Sequence, residues 1–298
     1  MDIDVSIIIV NYNTRQMTSE CIDSVFEKTT GISFEVIVVD NASKDNSREF
    51  FSADKRIIYI YNDENIGFGR ANNKGIEIAC GRNILFLNSD TLLINNAIKM
   101  LSEYLDAHDD VGVCGGNLFN LKCNPSLSYR RLLPGVLYDI NELFCRIPEK
   151  VIYGENSYFN HTNHVLYVKY ISGADLMLRK SIVNDIGGFS DDFFMYYEET
   201  DLCCRIIKNG WKIASIPYAE IQHLEGHSFA KESVVNRVKV RFVEQSRLTY
   251  LIRNHNKMER VCSNSIYFIF LLSRVLFITS CSKRQQYKER LRVFLKSI

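Results

Sequence analysis

Three apolar runs within the first ninety residues each end on asparagine or aspartate, and this pattern constrains the fold more than any other feature of the sequence. Residues 5–10 (VSIIIV) are continuous and rich in β-branched side chains, as in a strand buried on both faces of a parallel sheet. A helical pattern at 18–28 separates this run from the second, at 34–39, which ends on Asp40. The third run, at 83–87, ends on Asn88-Ser89-Asp90. This order of elements, with polar strand tips, predicts the nucleotide-binding half of an α/β fold.

The remaining periodic segments extend the same architecture. Residues 117–170 are interrupted by proline and glycine and contain scattered aromatic side chains, so we interpret them as a loop-rich insertion that shapes a pocket, with disorder as the alternative.

The polar residue at the end of the second apolar run has an alternative role, because Asp40 also fits a turn residue or the cap of the next helix. Further strands are predicted at 57–61, 111–114, 171–179, 212–216 and around Ile221, and further helices near 46–51 and at 98–108.

The composition is that of an ordinary globular protein of one large or two small domains. Of the 298 residues, 46% are hydrophobic and 24% are charged, which is enough to build a sizeable core. The nine cysteines include no CxxC pair, and no signal peptide precedes the first apolar run. We therefore expect reduced thiols, a cytoplasmic protein and no zinc site.

Charge is concentrated in the last quarter of the chain. Residues 231–298 contain 15 Lys and Arg against 4 Asp and Glu, a surplus of 11, so the rest of the chain carries 1 − 11 = −10 of the net charge of +1. This asymmetry suggests an anionic partner surface, either membrane or nucleic acid. The apolar run at 266–278 contains Arg274 and is shorter than the roughly 20 residues that span a bilayer. We predict an interfacial helix that docks on anionic lipid; a helix buried on the catalytic domain or in a dimer interface is the alternative.

A glycine- and asparagine-rich turn at 65–75 (NIGFGRANNKG) runs into a helical pattern. Its backbone N–H groups and Arg70 fit a diphosphate, because glycine permits close approach of the backbone to a ligand. Asn72 stands where a dinucleotide fingerprint has its third glycine, so the turn does not match that motif. A helix-start turn without a ligand is the alternative.

An acidic helix start forms the other candidate site. Residues 191–205 (DDFFMYYEETDLCCR) carry Glu198, Glu199 and Asp201 directly after an aromatic run. Carboxylates in that position are partly desolvated and held in place, as a general base requires, although acids also favour helix N-termini for electrostatic reasons alone. Asp90, just past a strand, is suited to holding Mg²⁺ or Mn²⁺ against phosphate oxygens.

Together these motifs resemble a family 2 glycosyltransferase of the GT-A fold, and the bacterial rhamnosyltransferase-like members most closely. The resemblance covers roughly residues 3–230 and rests on VSIIIVNYN, VVDNASKDNS, NIGFGRANNKG, FLNSD and DIGGFSDDFFMYYEETDLCCR, followed by His223 and Ser228. It implies a single Rossmann-like mixed sheet flanked by helices. The catalytic domain would span 1–230, with a nucleotide-sugar half at 1–115 and an acceptor half at 116–230, and 231–298 would form a basic helical extension.

The resemblance also implies roles for individual residues. The chain has Asn88-Ser89-Asp90 where the family has a DXD motif, and Glu198-Glu199-Thr200-Asp201 where it commonly has Glu-Asp-x-Asp. Glu199 then aligns with the catalytic base, with Glu198 and Asp201 as the next candidates, and Asp90 and His223 would bind Mn²⁺ or Mg²⁺. Residues implied around the nucleotide sugar are Asn11, Asp40, Asp45, Asn65, Gly67, Arg70, Asn72, Asn73 and Asp90.

The implied reaction is metal-dependent, inverting transfer of a sugar, such as rhamnose or another hexose, from a nucleotide-diphosphate sugar to a glycan or lipid-linked glycan in surface polysaccharide synthesis. The enzyme would be cytoplasmic, with peripheral contact to an anionic membrane, no nucleic-acid partner and a homo-oligomeric state as an option. A catalytically silent nucleotide-sugar-binding protein and a nucleotidyltransferase are the alternatives. The latter normally needs a glycine-rich signature with a basic residue near the N-terminus, and none follows Val10.

Overall fold

The computed structural model of the protein describes residues 3–224 and 237–297. Ser228, the last residue of the sequence motifs, lies outside the described residues. The strands are β1 (Val5–Asn11), β2 (Phe34–Asp40), β3 (Ile58–Tyr61), β4 (Asn83–Leu87), β5 (Thr91–Leu93), β6 (Val111–Phe119), β7 (Tyr129–Arg130), β8 (Leu166–Tyr167), β9 (Tyr170–Ile171), β10 (Asp175–Arg179) and β11 (Lys212–His223). The helices are α1 (Arg15–Lys28), α2 (Ser47–Ser52), α3 (Phe68–Ile78), α4 (Ala97–Ala107), α5 (Val136–Leu143), α6 (Ile147–Tyr153), α7 (Lys180–Ile186), α8 (Glu198–Lys208), α9 (Arg237–Asn254), α10 (Lys257–Phe277) and α11 (Cys281–Ser297).

A mixed nine-stranded sheet runs in the order β3-β2-β1-β4-β10-β6-β11-β5, and β8 pairs with β11. The first four strands are parallel, whereas β10 lies antiparallel between β4 and β6. Helices cover both faces, and three helices follow the sheet at the C-terminal end of the chain. The predicted α/β architecture with a mixed central sheet is therefore confirmed.

The burial of β1 explains its unbroken apolar sequence. Ile7 and Ile9 point into one hydrophobic core, with side chains of α1 and α4, while Ile8 points into a second core with side chains of α3 and α8. All three are fully buried. Each buried isoleucine contributes about 1.5–3 kcal/mol relative to an exposed one, so both faces of the strand select apolar residues.

Strand pairing brings the polar strand tips to one edge of the sheet. Asn11 and Asp40 are paired in register at the ends of β1 and β2. Asn88 follows β4, the other neighbour of β1, and its backbone N–H donates to the Ala174 carbonyl just before β10. The polar ends of the three apolar runs thus line the same edge, as expected for a ligand site at the strand tips.

Several predicted boundaries after residue 110 were wrong. The strand predicted at 111–114 continues to Phe119 because β11 accompanies it, and the segments predicted at 212–216 and at Ile221 form one strand with a shift in register. The segment predicted as one strand at 171–179 is interrupted at 172–174. The insertion at 117–170 contains two helices, α5 and α6, as well as irregular structure.

The C-terminal helices pack on the rest of the protein. Arg247 of α9 donates to Asp139 of α5 at 2.8 Å, and both side chains are buried. The Arg247 guanidinium also lies 3.8 Å from the centre of the Tyr267 ring of α10. This buried contact matches the alternative in which the tail packs against the catalytic domain. The predicted domain boundary at 230 falls outside the described residues.

The length assigned to the apolar tail segment was also wrong. Helix α10 begins at Lys257, nine residues before the apolar run, because Asn256 and Glu259 form a capping box at its start. With 21 residues, it is long and apolar enough to cross a bilayer by length and composition, and no second such helix occurs among residues 3–224 and 237–297.

We predict that Arg247→Ala lowers the free energy of unfolding by about 3–5 kcal/mol, because it leaves the Asp139 carboxylate buried without its partner. Arg237→Ala on the same helix is the matched control: that side chain is 72% exposed, and removing it should cost less than about 1 kcal/mol. Urea denaturation of both variants measures the difference. Similar losses in the two variants would contradict the docked arrangement of α9.

Candidate functional site

The first part of the site is a set of fixed polar groups at the tips of β1 and β2. Asp40 is fully buried, and its carboxylate accepts hydrogen bonds from Asn11 Nδ2 at 3.0 Å, the Tyr59 hydroxyl at 3.0 Å and the Ser43 backbone N–H at 2.8 Å. Burial, followed by the negative charge of Asp40, raises the pKa of Tyr59 and keeps that hydroxyl a donor. Asp40 therefore holds Asn11 and the Ser43 turn in place.

Asp45 lies in the same turn but serves two helix starts. Its carboxylate accepts hydrogen bonds from the backbone N–H of Arg15, the first residue of α1, and from the backbone and side chain of Ser47, the first residue of α2. Burial acts to raise the pKa of Asp45, but these hydrogen bonds outweigh it and lower the pKa. The residue is ionised at neutral pH and fixes the turn beyond β2.

The glycine- and asparagine-rich turn is held by an asparagine that the sequence analysis did not single out. Asn41 donates from its side chain to Asn65 Oδ1 at 3.0 Å and to the Gly67 carbonyl at 3.2 Å. Its own Oδ1 accepts from the Ile66 backbone N–H. The Asn41 side chain therefore holds the turn against the tip of β2 through these hydrogen bonds.

On its other side, this turn meets the segment that precedes α8. The Phe68 backbone N–H donates to the Phe194 carbonyl at 3.0 Å. Gly67 has a φ of +90°, and a Cβ built on it would lie 2.4 Å from that carbonyl oxygen. A side chain at position 67 is thus excluded both by its backbone angle and by the approach of Phe194.

The polar side chains of α3 contact protein groups. Arg70 donates to the Asp191 carbonyl, and Asn73 both donates to the Phe189 carbonyl at 2.8 Å and accepts from the Phe189 N–H at 2.9 Å. Asn72 is buried and donates to the Phe68 carbonyl in its own helix. These contacts tie α3 to the segment before α8.

Asp90 and His223, far apart in sequence, are brought together by the pairing of β5 with β11. His223 pairs with Thr91, the neighbour of Asp90. Its Nε2 atom lies 3.2 Å from Asp90 Oδ1, and both side chains are largely buried. The side-chain nitrogen of Asn88 lies 3.5 Å from the same imidazole nitrogen.

These two residues fit a hard divalent cation. One carboxylate and one imidazole suit Mn²⁺, and adjacent ligands of an octahedral ion at about 2.1 Å lie about 3 Å apart. The observed separation of 3.2 Å agrees with that spacing. Within the described ranges, no group of three or more His, Cys, Asp or Glu side chains is arranged to hold a metal. An ion here would complete its shell with phosphate oxygens and water.

Glu198 and Glu199 open α8 after two residues with left-handed backbone angles, Tyr196 and Tyr197. Burial, and then the adjacent Glu199 carboxylate, raise the pKa of Glu198 well above the usual glutamate value. Glu198 Oε2 is buried and has no hydrogen-bond partner among the described residues. Burial also raises the pKa of Glu199, although hydrogen bonds at the helix start oppose it. One acid of the pair therefore ionises before the other.

Asp201 has a different environment from the two glutamates. It accepts hydrogen bonds from Arg205 at 3.0 Å, Arg253 at 3.3 Å and Asn254 at 2.9 Å, and it is almost fully buried. Both oxygens of the Asp201 carboxylate thus accept hydrogen bonds from two guanidinium groups and an amide. The residue links α8 to α9 of the C-terminal extension.

Comparison with known families identifies the chain. A family model described as Glycosyl transferase family 2 matches residues 6–173, which is more than half of the protein and includes the strand tips, the glycine- and asparagine-rich turn and Asp90.

The chain belongs to glycosyl transferase family 2.

This glycosyltransferase also resembles individual curated proteins. It is 26% identical over 224 residues to the low-salt glycan biosynthesis hexosyltransferase Agl10 of Haloferax volcanii, covering 74% of this chain and 67% of that protein. It is 38% identical over 65 residues to the N-acetylglucosaminyl-diphospho-decaprenol L-rhamnosyltransferase of Mycobacterium tuberculosis, covering 22% of this chain and 21% of the relative. The expected family is thus confirmed, and one relative is a rhamnosyltransferase.

A solved structure supports the fold of the glycosyltransferase. The mannosyltransferase PcManGT from Pyrobaculum calidifontis, in complex with GDP-Man and Mn²⁺, aligns with a TM-score of 0.61 at 15% identity. The alignment covers 98% of this chain and 86% of that structure. The GT-A fold expected from the sequence is confirmed, and its extent includes the C-terminal helices, which the family model does not reach.

Asp175 is a buried acid near His223 that the sequence analysis did not single out. It is fully buried on β10, and its carboxylate accepts a hydrogen bond from the Gly116 backbone N–H at 2.6 Å. Burial raises the pKa of Asp175 to about 7, while the Gly116 N–H and the nearby His223 act to lower it. Its signal in the sequence was one acid at the start of an apolar strand, ADLML. The hydrogen bonds of Arg253 and Asn254 to Asp201 had no comparable signal in the sequence, because Asp201 lies some fifty residues earlier.

We predict that Gly67→Ala is more damaging than Gly187→Ala. The two glycines share nearly the same backbone angles, φ 90° and ψ 166° against φ 80° and ψ 164°, so each substitution costs about 1–3 kcal/mol of backbone strain. A Cβ at position 187 meets nothing within 4 Å, whereas one at position 67 meets the Phe194 carbonyl and should cost about 1–3 kcal/mol more. Chemical denaturation measures the loss of unfolding free energy in both variants. Equal losses would show that the Phe194 carbonyl is not packed closely against position 67.

Proposed function

We propose that this glycosyltransferase moves a sugar from a nucleotide-diphosphate sugar to a hydroxyl group of a glycan acceptor with inversion at the anomeric carbon, and that Glu199 is the base. One observation carries the proposal. The segment 173–174 lies between the proposed base, Glu199, and the proposed metal ligand, Asp90. Gly173 lies against the Glu199 side chain. The Ala174 carbonyl accepts a hydrogen bond from the backbone N–H of Asn88, two residues before Asp90.

In the proposed reaction, the acceptor oxygen attacks the anomeric carbon while its proton passes to the Glu199 carboxylate. The bond between the anomeric carbon and the phosphate oxygen breaks, and the nucleoside diphosphate leaves with the bonding electron pair. A single displacement of this kind inverts the anomeric centre and needs no covalent enzyme intermediate. Burial and the Glu199 carboxylate raise the pKa of Glu198 well above the usual glutamate value, which disfavours a second negative charge beside the base.

Asp90 and His223 would hold Mn²⁺ or Mg²⁺ close to the donor diphosphate. When bound, the cation stabilises the negative charge that develops on the leaving group. Asn88 lies 3.5 Å from the His223 imidazole, and buried Asp175 on β10 is close enough to His223 to interact with it electrostatically. The chain therefore supplies two ligands and a surrounding shell of polar groups.

The predicted donor-binding residues divide into two roles. We propose that the turn at 65–67 faces the nucleotide sugar through Asn65, whose side chain is partly exposed. Buried or internally bonded groups position this turn and the strand tips instead. The proposed positioning residues are Asn11, Asp40, Asp45, Gly67, Arg70, Asn72 and Asn73, and Asp201, a candidate base in the sequence, is proposed to have the same role.

A lipid-linked glycan is the proposed acceptor class. The name of the mycobacterial relative describes an acceptor sugar on a polyprenyl diphosphate, and the name of the archaeal relative describes glycan biosynthesis. Rhamnose or another hexose is the proposed sugar. The proposed location is the cytoplasmic face of a membrane, which the basic C-terminal extension would contact peripherally.

We predict that Glu199→Gln lowers kcat at least about a hundredfold, because the amide keeps the shape of the base and cannot take a proton. Nucleoside diphosphate affinity should stay unchanged. Glu198→Gln is the matched control and should retain activity within about tenfold, which corresponds to about 1.4 kcal/mol, because an amide resembles the protonated acid. A screen of nucleotide sugars by nucleoside diphosphate release provides the assay.

The outcome of that pair of variants also decides between the two glutamates. An inactive Glu198→Gln with an active Glu199→Gln would assign the base to Glu198. In the wild type, kcat/KM should fall as the pH is lowered through an apparent pKa above the usual glutamate value, because the base must be ionised. Binding of nucleotide sugars without turnover of any of them would favour the silent binding protein.

Chelation gives a separate prediction. Activity should require Mn²⁺ or Mg²⁺, and Asp90→Ala should abolish both activity and the binding of Mn²⁺ in the presence of a nucleoside diphosphate, followed by electron paramagnetic resonance. Asp109→Ala, which removes a fully exposed carboxylate, is the control and should bind Mn²⁺ normally. Full turnover in excess chelator would overturn the metal assignment.

A further inference from the structure

Arg130 has a buried guanidinium nitrogen that the described parts of the chain do not satisfy. Its Nη1 atom is buried and has no hydrogen-bond partner among residues 3–224 and 237–297. The residue as a whole is half-buried, so it can be reached from solvent. A buried N–H group of a charged side chain is costly without an acceptor, and a bound anion is one way to supply that acceptor.

The neighbouring arginine is bonded quite differently. Arg131 donates from Nε to the Asn156 carbonyl at 3.1 Å and from Nη1 to the Tyr167 carbonyl at 3.0 Å. Its guanidinium also lies 4.8 Å from the centre of the Tyr153 ring. The fold therefore uses the guanidinium of Arg131 to hold the insertion together, whereas Nη1 of Arg130 is not used in this way.

Strand pairing places Arg130 near the proposed base. Arg130 of β7 is paired in register with Tyr170 of β9, and the side chains of a cross-strand pair lie on the same face. Gly173, three residues after Tyr170, lies against the Glu199 side chain. Burial and the charge of Tyr138 raise the pKa of Tyr170, while the Arg130 guanidinium acts to lower that pKa. Because the Glu199 carboxylate also acts on the pKa of Tyr170, this hydroxyl lies within electrostatic reach of both Arg130 and Glu199.

The proposed metal ligands lie at the other end of the same short segment. The carbonyl at the end of the segment 170–174 accepts a hydrogen bond, at 3.0 Å, from the backbone two residues before Asp90. Along this segment the pairing with Arg130 comes first, the contact with Glu199 second and the approach to Asp90 last. An acceptor that offers its hydroxyl to Glu199, with the donor diphosphate on the Asp90 side, therefore extends toward Arg130.

The charges around Arg130 favour an anion as its ligand. Tyr138 of α5 lies within electrostatic reach of Arg130, and burial raises the pKa of both Tyr138 and Tyr170, so their hydroxyls are donors at neutral pH. The two acids that act on the pKa of Tyr138 are each paired with another arginine, and these pairs are Glu142 with Arg146 and Asp139 with Arg247. A guanidinium flanked by two phenol donors suits a group with several acceptor oxygens.

We propose that Arg130 binds a phosphate group of the acceptor and makes the enzyme selective for acceptors that carry phosphate next to the accepting sugar. The planar guanidinium can bind two phosphate oxygens at once, which a lysine cannot do. Phosphate is the oxyanion that the proposed lipid-linked acceptor carries. The inference thus rests on the proposed function, and it adds the residue that recognises the acceptor.

Binding of two probes to the full chain tests the assignment without turnover. The probes are N-acetylglucosamine linked to farnesyl diphosphate and the neutral farnesyl glycoside of the same sugar, measured by titration calorimetry with chelator present so that no metal supports binding at Asp90. The wild type should bind the diphosphate probe at least about tenfold more tightly than the neutral probe, as expected for hydrogen bonds to a charged group. Arg130→Gln should lose this preference, and Arg130→Lys, which keeps the charge, should retain part of it.

Arg131→Gln is the matched control at the next position. It should lower the midpoint of urea unfolding, because two carbonyl groups lose their donor, and it should keep the preference for the diphosphate probe. Arg130→Gln should leave the midpoint unchanged, since Nη1 has no partner to lose among the residues that the structure describes. In the transfer assay, Arg130→Gln should raise the KM for a phosphate-bearing acceptor several-fold, with kcat and the donor KM nearly unchanged.

Four results would overturn the assignment. The first two are a wild type that binds both probes equally and an Arg130→Gln variant that folds and keeps the preference. The third is an unfolding midpoint that falls as far in Arg130→Gln as in Arg131→Gln, with neither probe bound, which would give Arg130 a structural role. The fourth is inorganic pyrophosphate that binds as tightly as the diphosphate probe, which would indicate a site for free anions. A preference that depends on Arg130, without transfer from any nucleotide sugar, would count against the proposed function alone.

Discussion

The close approach of the Phe194 carbonyl to Gly67 is the contact on which the rest of the site depends. It joins the turn before α3 to the segment before α8 through backbone groups, with the Phe68 N–H as donor. Only a residue without a side chain fits both the backbone angle and the space. The turn that should face the donor and the helix that carries the proposed base are therefore fixed relative to each other before any ligand binds.

The C-terminal extension reinforces this junction from outside. Phe242 stacks on Phe194 with ring centres 4.8 Å apart, Ser246 donates to the Met195 carbonyl, and Arg253 reaches Asp201. The family match ends at residue 173, before α8 and the extension. In this glycosyltransferase the extension is thus part of the framework of the site, and a variant that loosens it should reduce activity without touching the substrate.

The first half of the chain was predictable because each buried strand is read directly from a continuous apolar run. Asp40 and Asp90 were predictable as candidates because polar residues at the tips of parallel strands meet at one edge, whereas the proposed role of Asn11 came from the family resemblance. The partners of Asp201 were not predictable, since they depend on how a distant helix packs. The start of α10 was missed although its capping residues, Asn256 and Glu259, are visible in the sequence, because hydrophobicity alone was used to judge its length.

The assignment of Glu199 as the base depends on Glu199 ionising at a lower pH than its buried neighbour Glu198. Carbon-13 NMR of the side-chain carboxyl groups, assigned with Glu198→Gln and Glu199→Gln, measures this directly across a pH titration. We expect Glu199 to titrate above the usual glutamate range and Glu198 to titrate at a higher pH still. Titration of both carboxyl groups at the ordinary value of about 4.3 would contradict it.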